Sequence, residues 1–467
     1  MESRRDQVHA YFYLVGRLNS ALAQGRPDPY DPPNRRPLLG YVIGILLALV
    51  ITGGFAIYGV FRPGGDSSWR QPGVVILVKE TGARYLLLDD QLRPVLNYAS
   101  ARLVLGNGEA ARLVNVSRNS LRGVPIGAPI GIADAPDALP DAKRLATGAW
   151  TVCAQPPDPA GRPGTVLLLG DAVSASPVDQ SEGFLVSAVD GQQHVVWQGR
   201  RHRLSPPAAV ALGYAGVEPV RVTPAWLNPI PAGQDLVFPA VPGRGRPGPR
   251  VGDRVSRIGQ VYEARDPVRG TSEMYLVRAD GLVRLPRTAA TLALADPGIG
   301  AAYPGVPVGP LPVRPDELTT APMSASGELV TGYPPEPPRP VSDRAALACV
   351  RYQPSGAAIT VTLARVRADA ARRAVPVPRA APATGTVDRI LVDAGTGVLA
   401  RNPYGPGRGL FLVTEYGVKY PTPPGGVEAL GYAAVAPVDV PVELLDLLPT
   451  GAVLDPAAAL VSRTWGG

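Results

Sequence analysis

Lysine stands at only three positions, 79, 143 and 419, histidine at 9, 194 and 202, and cysteine at 153 and 349, and aromatic residues make up 6% of the chain. Each scarcity removes a class of chemistry. A zinc site needs three or four converging ligands, and His194 and His202 have no third histidine near them in sequence, so they read as surface residues. No G-x-x-x-x-G-K-[ST] loop exists to cradle nucleotide phosphates, and no G-x-S-x-G elbow exists for acyl transfer. The spacing Gly243-x-Gly245-x-x-Gly248 matches a dinucleotide fingerprint in form, but Pro247 and Pro249 stop a helix from opening there. Asp89-Asp90 does not make a catalytic carboxylate pair, because neighbours on a strand point to opposite faces; it reads as a solvated turn. No catalytic residue, metal or cofactor is therefore expected.

The net charge of +7 rests on arginine, a bias that fits a high-GC genome. The densest basic cluster, Arg244, Arg246 and Arg250, is broken by Gly and Pro and has no aromatic platform beside it, so nucleic-acid binding is not expected.

Charge is missing altogether from Pro37 to Phe61, between Arg35-Arg36 and Arg62. At ~1.5 Å per residue that run reaches roughly 37 Å as a helix, enough to cross a hydrocarbon core of about 30 Å with some tilt. A cleaved signal sequence fits less well, since its apolar core would be shorter, nearer the N-terminus and followed by a small-residue cleavage site. Arg4, Arg5, Arg17, Arg26, Arg35 and Arg36 precede the run and only Arg62 and Arg70 closely follow it. The positive-inside rule therefore keeps the N-terminus cytoplasmic and residues 62–467 outside.

What the sequence does have is glycine and proline, 53 and 54 residues, so long helices should be few and turns many. The expected class is mainly β with short helices. Two cysteines in an oxidising compartment suggest a Cys153–Cys349 disulfide, the alternative being two buried free thiols.

Ahead of the apolar run, Val8, Tyr11, Phe12, Val15, Leu18 and Leu22 recur at helical spacing, with Gly25 where a C-cap belongs. A lone helix of this length is marginal in water, so this face is expected to dock, on a partner protein in preference to the membrane surface.

Beyond the apolar run an aromatic-Leu-aliphatic triplet occurs four times, as Tyr85-Leu86-Leu87, Phe184-Leu185-Val186, Tyr275-Leu276-Val277 and Phe411-Leu412-Val413. Each reads as a strand, followed by a turn (Asp190-Gly191, Asp280-Gly281 and Gly417 mark three). A short Ala/Leu helix follows, within 99–105, 208–212, 289–294 and 427–430. Then comes an X-Pro-aliphatic step at Val124-Pro125-Ile126, Glu218-Pro219-Val220, Val306-Pro307-Val308 and Ala436-Pro437-Val438. Ala211-Leu212-Gly213-Tyr214-Ala215 matches Ala429-Leu430-Gly431-Tyr432-Ala433, and further matches continue without a gap, which marks a duplication.

Between repeats one and two, and three and four, lie two alternating apolar/polar hairpins, Trp150 to Leu169 and Ala346 to Val366, each with one cysteine on its first strand. The expected organisation is a cytoplasmic segment 1–36, a transmembrane helix 37–61, repeat 1 at 73–146, a central hairpin at 147–172, repeat 2 at 180–240, repeat 3 at 250–325, a second central hairpin at 344–366 and repeat 4 at 385–455. Both hairpins should share one central sheet, with the repeats around it in pseudo-twofold fashion. Residues 62–69, 240–252, 315–343 and 367–384 are expected to be linkers.

The chain resembles EccB, the single-span membrane component of the actinobacterial type VII (ESX) secretion system. The likeness rests on Asp6-Gln7-Val8-His9-Ala10-Tyr11 through Ala21-Leu22, on Pro94-Val95-Leu96-Asn97-Tyr98-Ala99-Ser100-Ala101-Arg102-Leu103, and on Pro125-Ile126-Gly127-Ala128-Pro129. Cys153 and Cys349 also fall where that family's disulfide is expected. The resemblance implies a periplasmic body of four repeats around a central β-domain and assembly with EccC, EccD, EccE and the mycosin protease; self-association through that body is a further expectation. Some members have been described as ATPases; this sequence offers no phosphate-binding loop for that. The expected function is a non-catalytic structural subunit in the inner membrane, coupling cytoplasmic motor components to a periplasmic assembly. The alternatives are a peptidoglycan-binding anchor and, less well supported, a nucleotide hydrolase.

Overall fold

A computed structural model describes residues 4–25, 35–61, 68–106, 111–170, 173–266, 268, 270–325, 332–343, 345–355, 358–378, 385–404 and 409–462, to which all structural statements here refer. The chain divides into two compact units, residues 1–92 with 113–125, and residues 93–112 with 126–467.

The first unit begins with helix α1, Arg4–Gln24, which Gly25 ends in a left-handed conformation (φ 65°) with its N–H donated to the Ala21 carbonyl at 3.1 Å. Helix α2, Arg35–Phe61, contains a stretch from Leu39 to Tyr58 long and apolar enough to cross a membrane, and none of that stretch is buried by the chain. Sheet I follows, in the order Gln91–Pro94, Arg84–Leu88, Val74–Val78, Arg112–Val116. Its hairpin turn is Asp89-Asp90, both exposed and both at positive φ (50° and 58°), the conformation a two-residue turn of the right twist demands. Trp69, Val74, Ile76, Leu92, Val114 and Val116 form its core. The linker expected over 62–69 thus ends inside a core, since Trp69 is buried with the Arg70 guanidinium 4.8 Å from its ring; residues 62–67 lie outside the described residues.

The second unit opens with helix α3, Tyr98–Leu105, capped by the Asn97 side chain accepting from the Ser100 N–H and ended by Gly106. It then holds three sheets with the strand order of sheet I. Sheet II runs Arg200–Leu204, Gln193–Trp197, Glu182–Ser187, Val220–Arg221, and carries helix α4, Pro206–Ala211. Sheet III runs Leu282–Leu285, Thr271–Val277, Val261–Asp266, Leu311–Val313, with α5, Arg287–Leu294. Sheet IV runs Lys419–Pro421, Leu410–Val413, Val398–Arg401, Val438–Asp439, with α6, Pro424–Ala429, and a final helix α7, Pro456–Ala459. In sheets II to IV the last strand lies parallel to its neighbour.

The triplets do not lie on equivalent strands, contrary to expectation: Tyr85-Leu86-Leu87, Tyr275-Leu276-Val277 and Phe411-Leu412-Val413 lie on the second strand of sheets I, III and IV in the orders given, but Phe184-Leu185-Val186 lies on the third of sheet II, so Asp190-Gly191 is not the counterpart of the turns at Asp280-Gly281 and Gly417. The middle leucine is buried in all four copies (Leu86, Leu185, Leu276, Leu412), each contributing about 1.5–3 kcal/mol. Because alternate strand residues face opposite ways, Leu185 packs toward α4 and sheet III, while Phe184 and Val186 pack on the central sheet. Leu412 likewise packs with residues of α3 and α6, and Val413 on the central sheet. Helix α3 is thus matched with α6 and α7, and α4 with α5.

The central sheet has seven strands in the order Val375–Pro376, Arg389–Leu391, Gly164–Leu169, Trp150–Gln155, Ala346–Ser355, Ala358–Arg367, Ser176–Pro177. Both hairpins lie side by side at its centre, and each is extended by the strand that follows the other. The exchange continues outside it. Arg339–Pro340, after sheet III, pairs parallel with Glu182–Gly183 of sheet II, and Leu145, after α3, bridges to Gly397 of sheet IV. The glycines admit the incoming segment: a Cβ on Gly183 would meet the Pro338 side chain at 3.3 Å, and one on Gly397 the Pro140 side chain at 2.9 Å.

Several expectations are corrected here. Residues 240–252 contain a strand, Pro247–Val251, paired with Arg254–Arg257. Within 315–343, Pro315–Thr319 is helical, Tyr333 is buried and Arg339–Pro340 is a strand; within 367–384, Ala368–Ala371 is a helix and Val375–Pro376 joins the central sheet, 379–384 lying outside the described residues. Proline fixes φ without preventing edge pairing, so its abundance marked edges as much as linkers. Strand Arg389–Leu391, placed in repeat 4 by sequence, belongs to the central sheet. The X-Pro-aliphatic steps are also not one equivalent set. Pro125 instead matches Pro231, Pro322 and Pro449, whose carbonyls accept from Leu92, Arg201, Leu282 and Lys419 respectively at 2.8–3.0 Å.

Candidate functional site

Cys153 and Cys349 stand directly opposite each other on the two central strands, fully buried, with Cα atoms 4.0 Å apart, and are joined as a disulfide. Val166, Leu168, Leu347, Ala364 and Val366 surround the sulfurs. The bond therefore staples the two halves on the central ladder that joins their hairpins. Closing an interval of 196 residues stabilises by about 5 kcal/mol in the chain-entropy description.

On α1, Val8, Tyr11, Phe12, Val15, Leu18 and Leu22 are all exposed. Tyr13 and Leu14, off the expected stripe, are exposed as well, so the apolar surface is broader than the spacing predicted. Tyr11 and Phe12 stack edge to face with centroids 6.0 Å apart, and Arg17 lies 6.0 Å over the Tyr13 ring.

The remaining sequence candidates are absorbed by the fold. Arg244 pairs with Asp296 at 2.6 Å and Arg250 donates to the Asp253 carbonyl, so the basic cluster is partly spent internally. Gly243 and Gly245 sit at positive φ and lead into a strand, with a Cβ on Gly245 falling 2.7 Å from the Ala301 oxygen and one on Gly248 2.8 Å from the Ser256 hydroxyl, so these glycines serve turn and packing. His202 is not a surface residue, contrary to expectation. It is 1% exposed, its Nδ1–H donates to the Gln234 carbonyl at 2.8 Å, and burial holds its pKa below the usual imidazole value. Its ring lies against Gly233, where a Cβ would come within 2.4 Å; in the duplicate half Tyr420 lies against Gly451 with the same spacing. His194 is half-buried, and burial lowers its pKa too.

Two tyrosines that the sequence reading passed over as functional tie the halves together. Tyr214 donates its hydroxyl to the Pro338 carbonyl at 2.8 Å, and its duplicate Tyr432 donates to Pro140 at 2.7 Å, all four residues buried. Burial raises both phenol pKa values, which keeps both hydroxyls donors. Each latch holds the segment that crosses to the neighbouring sheet. The signal for them was on the page, as the tyrosine of the repeated Leu-Gly-Tyr, but nothing in sequence named the acceptor.

Similarity to known proteins agrees with this architecture. The "ESX-2 secretion system ATPase EccB2" of Mycobacterium tuberculosis is 28% identical over 496 aligned residues, covering 99% of this chain and 95% of that protein. The "ESX-3 secretion system ATPase EccB3" of Mycolicibacterium smegmatis is 28% identical, covering 98% and 90%. Among solved structures, a chain of an intact ESX-5 inner membrane complex superposes with a TM-score of 0.69 at 25% identity, covering 100% of this chain and 97% of that one. The EccB3 dimer from the ESX-3 core complex gives 0.67 at 26%, covering 83% and 100%. A family model described as "Type VII secretion system ESX-1, transport TM domain B" matches residues 2–465, and the chain belongs to that EccB family.

Proposed function

We propose that this protein couples cytoplasmic motor components of a type VII secretion complex to a periplasmic assembly, as a structural, non-catalytic subunit. Membership in the EccB family and the likeness to a chain of an inner membrane complex support the structural role. The observation that carries the coupling is the apolar surface of α1, left uncovered by the described residues and preceding in sequence an apolar helix long enough to span a bilayer.

In this reading α1 docks on the motor through Val8, Tyr11, Phe12, Val15, Leu18 and Leu22. The arginines before α2 keep that side cytoplasmic, and the stapled β body stands in the periplasm. The body holds four repeats, sheets I to IV, and the central sheet, and self-associates; the dimeric EccB3 neighbour supports the self-association. EccC, EccD, EccE and the mycosin protease are the proposed companions. The name ATPase on the relatives is not carried over, because this sequence has no G-x-x-x-x-G-K-[ST] loop.

The test is co-purification from gently solubilised membranes. Deleting residues 1–30, or replacing Phe12 and Leu18 by glutamate, should release the motor components while the protein still inserts. Unchanged recovery of those components with either variant would overturn the docking role of α1.

A further inference from the structure

We propose that the hairpin of Pro247–Val251 and Arg254–Arg257 is a docking arm for an acidic face of a partner protein. Among the described residues these two strands form a sheet of their own, and no such hairpin precedes sheets I, II or IV. It is fixed in place, since Val251 packs in a core with Tyr262 and Val277, and the buried Ser256 donates its hydroxyl to the Pro249 carbonyl. Residues 246–257 hold four arginines against one acid, Asp253. Cross-strand partners share a face, so Arg250, Val255 and Arg257 lie on one side of the hairpin and Val251, Arg254 and Ser256 on the other. The second side is buried at Val251 and Ser256. The first is exposed at all three positions, Val255 to 60%.

What sets these arginines apart is how they are held. On sheets III and IV arginines meet carboxylates: Arg265 pairs with Glu263, Arg284 with Glu273 and Arg401 with Asp439. On the hairpin Arg250 donates to the Asp253 main-chain carbonyl at 2.9 Å, Arg257 to that of Gly245 at 2.8 Å and Arg254 to that of Pro312 at 3.4 Å, and among the described residues none of them pairs with a carboxylate. A carbonyl orients a guanidinium but leaves its charge and its other N–H donors in place. Acids around the hairpin are engaged: Asp296 pairs with Arg244, Asp316 with Arg314, and Glu317, beside Gly252, accepts the Arg314 N–H. With these groups included, six arginines stand against four acids, and the face of Arg250, Val255 and Arg257 has no acid of its own. Guanidinium forks on both sides fit carboxylates. The exposed valine between them fits a protein face better than a purely ionic polymer. Pro247 and Pro249 offer no N–H to an added strand, so the contact runs through side chains.

The experiment uses the full chain in nanodiscs of zwitterionic lipid and a capped, labelled peptide Glu-Glu-Val-Glu-Glu, read by fluorescence anisotropy. The peptide should bind, more weakly as salt rises, and a counterpart with lysine in place of glutamate should not. Arg250→Gln with Arg257→Gln should weaken binding about tenfold, the effect of losing a charge-assisted contact, and Val255→Ser should weaken it by a smaller factor. All three side chains are exposed, so these variants keep the fold. Arg265→Gln with Arg284→Gln removes the same charge from the same repeat and should leave binding unchanged. Failure of the acidic peptide to bind, indifference to the Arg250 and Arg257 substitutions, or an equal loss in the Arg265 and Arg284 variant overturns the arm. Displacement of the peptide by polyphosphate of equal charge, with no effect of Val255→Ser, overturns a protein partner in favour of a phosphate polymer.

Discussion

Duplicated residues do the finest structural work in this chain, and their two copies can be tested against each other. Tyr214 and Tyr432 each supply one hydroxyl to a buried proline carbonyl on a segment that crosses between sheets. Replacing either by Phe keeps the ring and leaves a buried acceptor unsatisfied, at about 1–3 kcal/mol. Denaturant unfolding of Tyr214→Phe and Tyr432→Phe should show that loss in each and a larger loss in the double variant; stability equal to wild type in both would remove the latch. His202 and Tyr420 differ where the tyrosines agree. The folded pKa of His202 lies below its unfolded value, so the unfolded state binds more protons and stability must fall as pH drops from about 6.5 toward the folded pKa. Unfolding measured from pH 7.5 down to 5 should show this fall, and His202→Tyr, which copies the duplicate half, should flatten that contribution.

At the scale of elements, the central pair of strands is where one covalent change reaches both halves. With Cys153→Ser and Cys349→Ser combined, the ladder keeps its register but the unfolded chain regains the freedom the cross-link removed, so stability should fall by up to about 5 kcal/mol in denaturant unfolding. A loss no larger than that of an ordinary core substitution would mean that the neighbouring sheets already hold the halves together. Elements were legible in sequence to the extent that they are local. The four triplets could be read because a buried leucine between two apolar neighbours marks a strand with both faces covered, and the Ala/Leu segments because helical spacing is short-ranged. The parallel fourth strands, two residues long in sheets II and IV, and the crossing strand Arg339–Pro340 could not, since their pairing partners lie far away in the chain and their own sequences are rich in proline. Ranking the X-Pro steps by spelling failed for the same reason: what makes Pro125 equivalent to Pro231 is the N–H it accepts, a long-range fact. Of the candidate site, the α1 face and the disulfide were readable, while the Tyr214 and Tyr432 latches depend on contacts between segments more than a hundred residues apart.

For the whole molecule the functional reading depends on which side of the bilayer each part occupies. Arginine asymmetry around α2 argues for a cytoplasmic α1, and a buried disulfide argues independently for an oxidising compartment around the central sheet. These two arguments use different physics and make one joint prediction. In intact cells a membrane-impermeant maleimide should label an introduced cysteine at the exposed Tyr416 and leave one at the exposed Tyr11 untouched until the membrane is permeabilised. In the same preparation, denaturation under alkylating conditions should find Cys153 and Cys349 blocked, and both should react only after a reductant is added. If the residue 11 probe labels from outside, the coupling role fails, because α1 could not meet a cytoplasmic motor. If the native cysteines alkylate without reduction, the body folds in a reducing compartment, and the topology must be inverted even were the arginine count unchanged.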